Sequence, residues 1–254
     1  MKNIRTFMYP LAAMALVGLS SVASATVLGT LTEGPGGACG AGGGVTVTGG
    51  ATPTITWLPA ADATHGCITS GAGTSLTWSG GGTLGNGAPG TILDLTLGGP
   101  PSVDAFMKFI TGAGTLDFVL NGFGPGSPNA GAAACLAASS DATLTCSVIA
   151  GSPFVISLDG TLANTTNVSL HAFGTIADPN APSQFSSWFG GFSVQLAGKT
   201  PFDVYTQFTT AQTITTGQTG NFTLVAGVPE PGTISLLLSG LGLVGLGAFR
   251  RSKK

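Results

Sequence analysis

Short runs in which apolar and polar residues alternate recur along most of this chain, and they constrain its fold more than any other feature. Successive side chains of a β-strand point to opposite faces, so this alternation predicts strands with one buried face. The clearest run, residues 192–196, reads Phe-Ser-Val-Gln-Leu. Comparable runs lie at residues 45–47, 54–57, 75–78, 93–97, 103–109, 116–120, 144–148, 154–158, 168–172 and 222–225. About ten short strands with turn residues between them predict an all-β domain, a single antiparallel β-sandwich.

One segment, residues 201–210, breaks this alternation and predicts a short helix. Thr200 is a suitable N-cap residue, Pro201 would occupy the first helical position, and Asp203 could complete a capping box. The aromatic residues spaced for one face of that helix are Phe202, Tyr205 and Phe208. We expect the helix to close one end or edge of the sandwich, with a strand as the alternative.

The body of the chain, between residues 26 and 227, carries little charge. It has two lysines against nine acidic residues, which gives a net charge of −7. Nucleic acid and anionic lipid both need a basic surface, so this composition argues against them as partners and permits cations and neutral sugars. Recurring aromatic and β-branched residues favour a folded domain over a disordered glycine-rich linker.

The first 25 residues have the features of a secretory signal peptide. Basic residues near the start are followed by an apolar stretch at 7–19 and by the small-x-small sequence that ends in Ala23 and Ala25. We therefore predict cleavage by signal peptidase after Ala25 and export of the rest of the chain. An uncleaved amino-terminal anchor is the alternative.

The last 27 residues predict a membrane segment with a basic end. Residues 233–249 contain no charge and would rise about 26 Å as an α-helix, slightly less than the roughly 30 Å hydrocarbon core. The basic residues of 250–254 favour the cytoplasmic side and leave the body outside. The chain thus divides into a signal peptide (1–25), a glycine-rich mature amino terminus (26–44), the sandwich domain (45–227) and a carboxy-terminal tail with a transmembrane helix (228–254).

The parts of this tail, in their order, resemble the sorting tail of PEP-CTERM proteins of Gram-negative bacteria. The residues that carry the resemblance are Val228, Pro229, Glu230, Pro231, Gly232, Arg250 and Arg251, together with the glycine- and leucine-rich stretch between them and the signal peptide. The resemblance implies transit through the inner membrane and recognition by an exosortase near the Pro-Glu-Pro triplet. It also implies delivery to the cell surface or extracellular matrix of bacteria that make exopolysaccharide.

Four cysteines lie in the exported part of the chain: Cys39, Cys67, Cys135 and Cys146. An even number in an oxidising compartment predicts two disulfides, for which three connectivities exist. Sequential pairing is our first choice, because it closes short loops and would join an Ala/Ser-rich hairpin through Cys135 and Cys146. A zinc site is the rival reading, although no C-x-x-C spacing is present.

Residues suited to catalysis are scarce, so we predict that the protein is not an enzyme and needs no cofactor. His65 lies in a loop-like sequence and His171 on the polar side of a strand, and no G-x-S-x-G motif accompanies them. Glycoside hydrolysis needs paired carboxylates, whereas Glu33 is the only glutamate of the body. Calcium between aspartate-bearing loops, such as the one at residues 178–180, remains open.

The tryptophans are the candidate residues for binding a sugar. Trp57 and Trp78 alternate with polar residues in strand-like runs, so we expect them in the core. Trp188 lies in a Ser-Ser-Trp-Phe sequence between glycine- and proline-containing segments, and is the candidate for stacking on a sugar. The sequence therefore favours a non-enzymatic surface or matrix protein, with a carbohydrate-binding module for exopolysaccharide as the alternative and a secreted hydrolase as the least favoured reading.

Overall fold

A computed structural model describes residues 26–36, 43–50, 53–96, 102–210 and 212–226. Within them the strands are β1 (Leu28–Pro35), β2 (Gly44–Thr48), β3 (Thr54–Leu58), β4 (His65–Ser70), β5 (Ser75–Trp78), β6 (Gly82–Leu84), β7 (Pro89–Leu93), β8 (Leu95–Thr96), β9 (Val103–Thr111), β10 (Gly114–Phe123), β11 (Thr145–Cys146), β12 (Phe154–Leu158), β13 (Thr165–Asp178), β14 (Ala181–Ala197), β15 (Thr213–Thr216) and β16 (Thr219–Ala226). The helices are α1 (Ala132–Ala138) and α2 (Pro201–Thr209). All of these elements belong to one compact unit, Thr26–Gly227.

Eight antiparallel strands form a closed barrel. Their order is β10-β9-β7-β4-β1-β16-β14-β13, and β13 returns to pair with β10. The predicted β-sandwich is therefore wrong, although the all-β character is confirmed. A sandwich would leave sheet edges unpaired, whereas here the pairing of Phe118 with Ile176 removes the last edges of the ring. Residue alternation is the same in both architectures, so it could not distinguish them.

The longest strands, β13 and β14, form a hairpin with a turn at residues 179–180. The backbone N–H of Asn180 donates to the Asp178 carboxylate at 2.8 Å, which fixes this turn. The sequence predicted only the parts of these strands at 168–172 and 192–196, because glycines interrupt the alternation elsewhere. Both strands reach beyond those runs, from Thr165 to Ala197.

The barrel interior is filled by aromatic side chains around Trp188. Its ring centroid lies 5.6 Å from that of Phe222, 6.1 Å from that of Phe118 and 6.4 Å from that of Phe106. These four side chains are almost completely buried. Edge-to-face and stacked arrangements of this kind stabilise an aromatic core beyond the burial of area alone.

An irregularity in β9 explains why Phe106 does not follow the alternation of its strand. Ala105 has a positive φ of 52°, and the pairing between β9 and β10 shifts register between Phe118 and Leu120. Such a bulge reorients the following side chain. As a result Phe106 and Met107 are both buried although they are adjacent.

A second sheet, in the order β15-β2-β3-β8, packs against the inner face of β14. Trp57 of β3 contacts Phe192 of β14, with ring centroids 4.8 Å apart. The Trp57 backbone N–H also donates to the Asp94 carboxylate at 2.8 Å. Trp57 and Trp78 are 2% and 5% exposed, so their predicted burial in the core is confirmed.

The predicted helix near residues 201–210 is confirmed as α2, with the expected capping box. The Asp203 carboxylate accepts from the Thr200 backbone N–H at 2.8 Å, and the Thr200 hydroxyl accepts from the Asp203 N–H at 3.2 Å. Within the described ranges, neither helix has the length and apolar character needed to cross a membrane. The helix predicted at 233–249 and the signal peptide at 1–25 lie outside those ranges.

The predicted disulfide between Cys135 and Cys146 is confirmed, with a Cα–Cα distance of 5.1 Å. It joins helix α1 to strand β11, so the hairpin expected around it is wrong: the alanine-rich segment is helical. Alanine has the highest helix propensity, which explains this result. Cys67 is also disulfide-bonded, whereas its predicted partner Cys39 lies outside the described residues.

Candidate functional site

Trp188, the predicted sugar-stacking residue, lies inside the barrel with 1% of its surface exposed. Its indole N–H donates to the carbonyl oxygens of Val119 at 3.0 Å and Thr175 at 3.1 Å. A sugar stacks on the open face of a ring, and both faces of this ring are covered by protein. This placement argues against Trp188 as a binding residue and identifies it as the centre of the core.

The sequence contained a signal for this burial. Trp188 precedes Phe192 by four residues, so in a continuous strand both side chains point to the same face. The glycines at 190 and 191 made this stretch resemble a loop. In the barrel, Gly190 instead lies against the backbone of Phe222, where a side chain would collide.

The residue that follows Trp188 points outward and belongs to an exposed apolar surface. We define the outer patch as five large apolar side chains, each between 41% and 52% exposed: Leu28, Phe173, Phe185, Phe189 and Val225. They account for half of the exposed large apolar side chains in the described part of the chain. An apolar cluster of this kind on a protein surface usually marks a contact site.

Strand register brings the outer patch together. Phe173 of β13 is directly opposite Phe189 of β14. Val225 of β16 is opposite Ser187, which lies between Phe185 and Phe189 on the outer face of β14. Leu28 of β1 precedes Gly29, which pairs with Leu224 of β16, and it therefore lies next to Val225.

Glycine on the neighbouring strand makes room for the patch. A Cβ atom at Gly122 of β10 would lie 2.9 Å from the ring of Phe173. Any larger residue would therefore push this ring away from the barrel wall. The glycine lets the ring lie over β10, which extends the apolar surface across the joint that closes the barrel.

No Asp, Glu, Lys or Arg side chain points outward from the strands that carry the outer patch within the described residues. Glu33 of β1 and Asp178 of β13 are buried, and the polar neighbours of the patch are hydroxyl residues such as Thr175 and Ser187. His171 is exposed beside Gly191, at the margin of the patch. The patch is thus uncharged on a body that is acidic overall.

Glu33, the only glutamate of the body, is buried inside the barrel. Its Oε2 atom accepts from the side-chain amide nitrogen of Gln218 at 3.1 Å. Its Oε1 atom has no hydrogen-bond partner, and neither has the side-chain oxygen of Gln218. Burial raises the pKa of Glu33 to about 7, although the hydrogen bond from Gln218 acts in the opposite direction.

The two histidines occupy different surroundings. The Nδ1 atom of His65 lies 2.9 Å from the Asp62 carboxylate in an exposed turn, while His171 is on the outer wall of the barrel. A hydrogen bond from the backbone N–H of Thr64 lowers the pKa of Asp62 to about 2, and the hydrogen bond from the His65 side chain is the second cause. This pair has the geometry of a loop-stabilising contact, since the Thr64 and His65 backbone N–H groups also donate to Asp62.

The aspartate at the 178–180 turn, considered for calcium, is already engaged by protein donors. Its carboxylate accepts from the backbone N–H and the hydroxyl of Ser79, at 3.0 Å and 2.8 Å, in addition to Asn180. Across the part of the chain that the structure describes, no three His, Cys, Asp or Glu side chains are grouped so that they could hold a metal ion.

A groove of about 460 Å³ lies where α2 ends. It is lined by the aromatic side chains of Phe154 and Phe208, whose ring centroids are 5.4 Å apart, and by residues 148–153. Ile149 on its rim is 66% exposed. This groove involves none of the five residues of the outer patch.

The residues predicted to govern sorting lie outside the described ranges: Ala23, Ala25, Val228, Pro229, Glu230, Pro231, Gly232, Arg250 and Arg251. The family model of the PEP-CTERM protein-sorting motif matches residues 227–252, and this confirms the resemblance noted in the sequence. No curated protein and no solved structure matches the chain. The matched motif begins immediately after β16, whose last residue is Ala226.

Proposed function

This chain carries a PEP-CTERM protein-sorting motif, and on that premise we propose that its body is a non-catalytic component of the cell surface or extracellular matrix. A motif of this kind marks a protein that passes through the membrane and is sorted by exosortase to the surface or the outside of the cell. The observation that carries the proposal is the match at residues 227–252. The signal peptide predicted at 1–25 adds the entry step, in which signal peptidase is the partner.

The structure of the body supports a stable, passive role. Trp188 and the phenylalanines around it fill the barrel interior, where a ligand-binding barrel would hold its ligand. A disulfide joins α1 to β11, and such bonds suit a protein that works outside the cytoplasm. A closed ring without free edges also limits strand-to-strand aggregation in a matrix.

A role in binding exopolysaccharide is the weaker candidate. Its proposed residue, Trp188, is buried, so any sugar contact would have to use other side chains. A hydrolase is less favoured still, because the buried carboxyl group of Glu33 has Gln218, and no second carboxylate, as its hydrogen-bond partner. Screens against esters and polysaccharides should therefore detect no turnover.

The experiment that tests the main proposal is intact-mass analysis of the native protein after cell fractionation. We expect a form that begins at Thr26 and ends between Pro229 and Gly232, found outside the inner membrane. A form that retains Arg250 and Arg251 in the inner membrane would contradict processing by exosortase. Turnover of any ester or polysaccharide by the purified protein would contradict the non-catalytic assignment.

A further inference from the structure

The outer patch lies where the chain enters and leaves the barrel. Leu28 is the first residue of β1, and Val225 is the residue before the end of β16. Only Ala226 separates Val225 from the start of the matched sorting motif. Seven residues, 226–232, lie between Val225 and the membrane helix predicted at 233–249. Because each residue extends at most about 3.6 Å, they keep this end of the barrel within about 25 Å of the bilayer while the tail passes through a membrane.

We propose that the outer patch rests on the lipid surface as long as the sorting tail is attached. The rings of Phe185 and Phe189 then enter the headgroup region, and Val225 and Leu28 lie beside them. This inference rests on the proposed function, because it requires the tail to pass through the membrane before the body is released.

The chemistry of the patch fits neutral lipid. The free energy falls when half-exposed phenylalanine and aliphatic side chains leave water for the boundary between headgroups and acyl chains. The surrounding hydroxyl groups of Thr175 and Ser187 can meet the polar headgroups. Because no charged side chain points outward from the four strands that carry the patch, the contact needs no anionic lipid.

The contact also explains how the body could leave the membrane after processing. Five side chains of this size bind a bilayer only weakly by themselves. The attached tail raises the effective concentration of the patch at the bilayer, and this effect ends when the tail is cut. Removal of the tail therefore releases the body without any change in the barrel.

The experiment places a benzophenone photoprobe at single positions of the full chain, reconstituted in phosphatidylcholine vesicles. The test positions are Phe185 and Phe189. The matched control is Ile149, which is more exposed but lies at the groove beside α2. Leu241, inside the matched sorting motif, reports whether the tail is in the bilayer. Mass spectrometry after illumination measures the lipid adducts.

We expect several-fold more lipid adduct at Phe185 and Phe189 than at Ile149, with strong labelling at Leu241. Labelling at Leu241 with equal yields at Phe189 and Ile149 would overturn the lipid contact and leave the proposed function intact. Absence of adduct at Leu241 would contradict the membrane stage and both proposals with it. Cross-linking of Phe189 to a second copy of the chain, or to added polysaccharide, in preference to lipid would also overturn the proposal.

Discussion

Trp188 and Phe189 are neighbours in β14, yet the barrel wall separates their side chains: the first is 1% exposed and the second 52% exposed. One residue therefore holds the core together, while the next contributes to the outer patch. This division within two residues lets mutations distinguish a structural role from a surface role.

Replacement of Trp188 by Phe should destabilise the protein by about 2–4 kcal/mol, because it removes buried volume and two hydrogen bonds to carbonyl oxygens. The adjacent change Phe189→Ser should alter the free energy of unfolding by only about 0.5 kcal/mol. Urea unfolding followed by circular dichroism measures both. Equal effects at the two positions would contradict the assignment of Trp188 to the core.

The buried carboxyl group of Glu33 should make stability fall as pH rises. Its pKa is about 7 in the folded protein against 4.5 as the ordinary value, so the folded state retains the proton longer. The contribution of this group to the free energy of unfolding is fully present below about pH 4.5. It is lost as the pH rises through about 7, and the total loss is about 3 kcal/mol. Glu33→Gln should abolish this loss and stabilise the protein at pH 8.

Urea unfolding at several pH values between about 4 and 8 measures this effect. Phe189→Ser serves as the control, since it changes an exposed side chain that does not titrate and should keep the pH dependence of the parent. If Glu33→Gln kept the pH dependence of the parent, titration of Glu33 would not be its source.

The capping box of α2 predicts a smaller effect. Thr200→Ala removes the acceptor for the Asp203 backbone N–H and should cost about 1 kcal/mol. Thr206→Ala, in the same helix, is the matched control: the Thr206 hydroxyl donates to the Phe202 carbonyl without capping the helix. The urea midpoint should fall only for Thr200→Ala, and a larger fall for Thr206→Ala would refute the prediction.

The disulfide between α1 and β11 should stabilise the body. Replacing Cys135 and Cys146 together by serine opens a loop with a sequence separation of 11 and should lower the free energy of unfolding by about 2–3 kcal/mol. The effect should spread to α2, because the Phe202 backbone N–H donates to Ser139 at the end of α1. Hydrogen exchange of the α2 amides checks this, and unchanged exchange would speak against the coupling.

Local patterns predicted local structure well. The alternation at residues 192–196 identified part of β14, and Thr200, Pro201 and Asp203 predicted the start of α2. The pairing of Cys135 with Cys146 followed from their short separation. Each of these features depends on residues that are close in sequence, so spacing alone carried the information.

Features that depend on distant residues could not be predicted in the same way. Closure of the ring rests on the register of Phe118 against Ile176, and nothing in either run specifies this partner. Glu33 gave no signal of burial, because the glycine-rich stretch around it hid strand β1. The outer patch arises from four strands whose neighbours are known only after the barrel has closed.

The pairing of β1 with β16 joins the first strand of the body to the last. One side of β1 therefore stays without its partner until the ribosome has made Ala226, almost the whole exported part of the chain. A polypeptide that crosses a membrane through a narrow channel has to remain unfolded on the way. By placing the last strand of the ring directly before the sorting motif, this chain completes its barrel only after almost the whole body has been made.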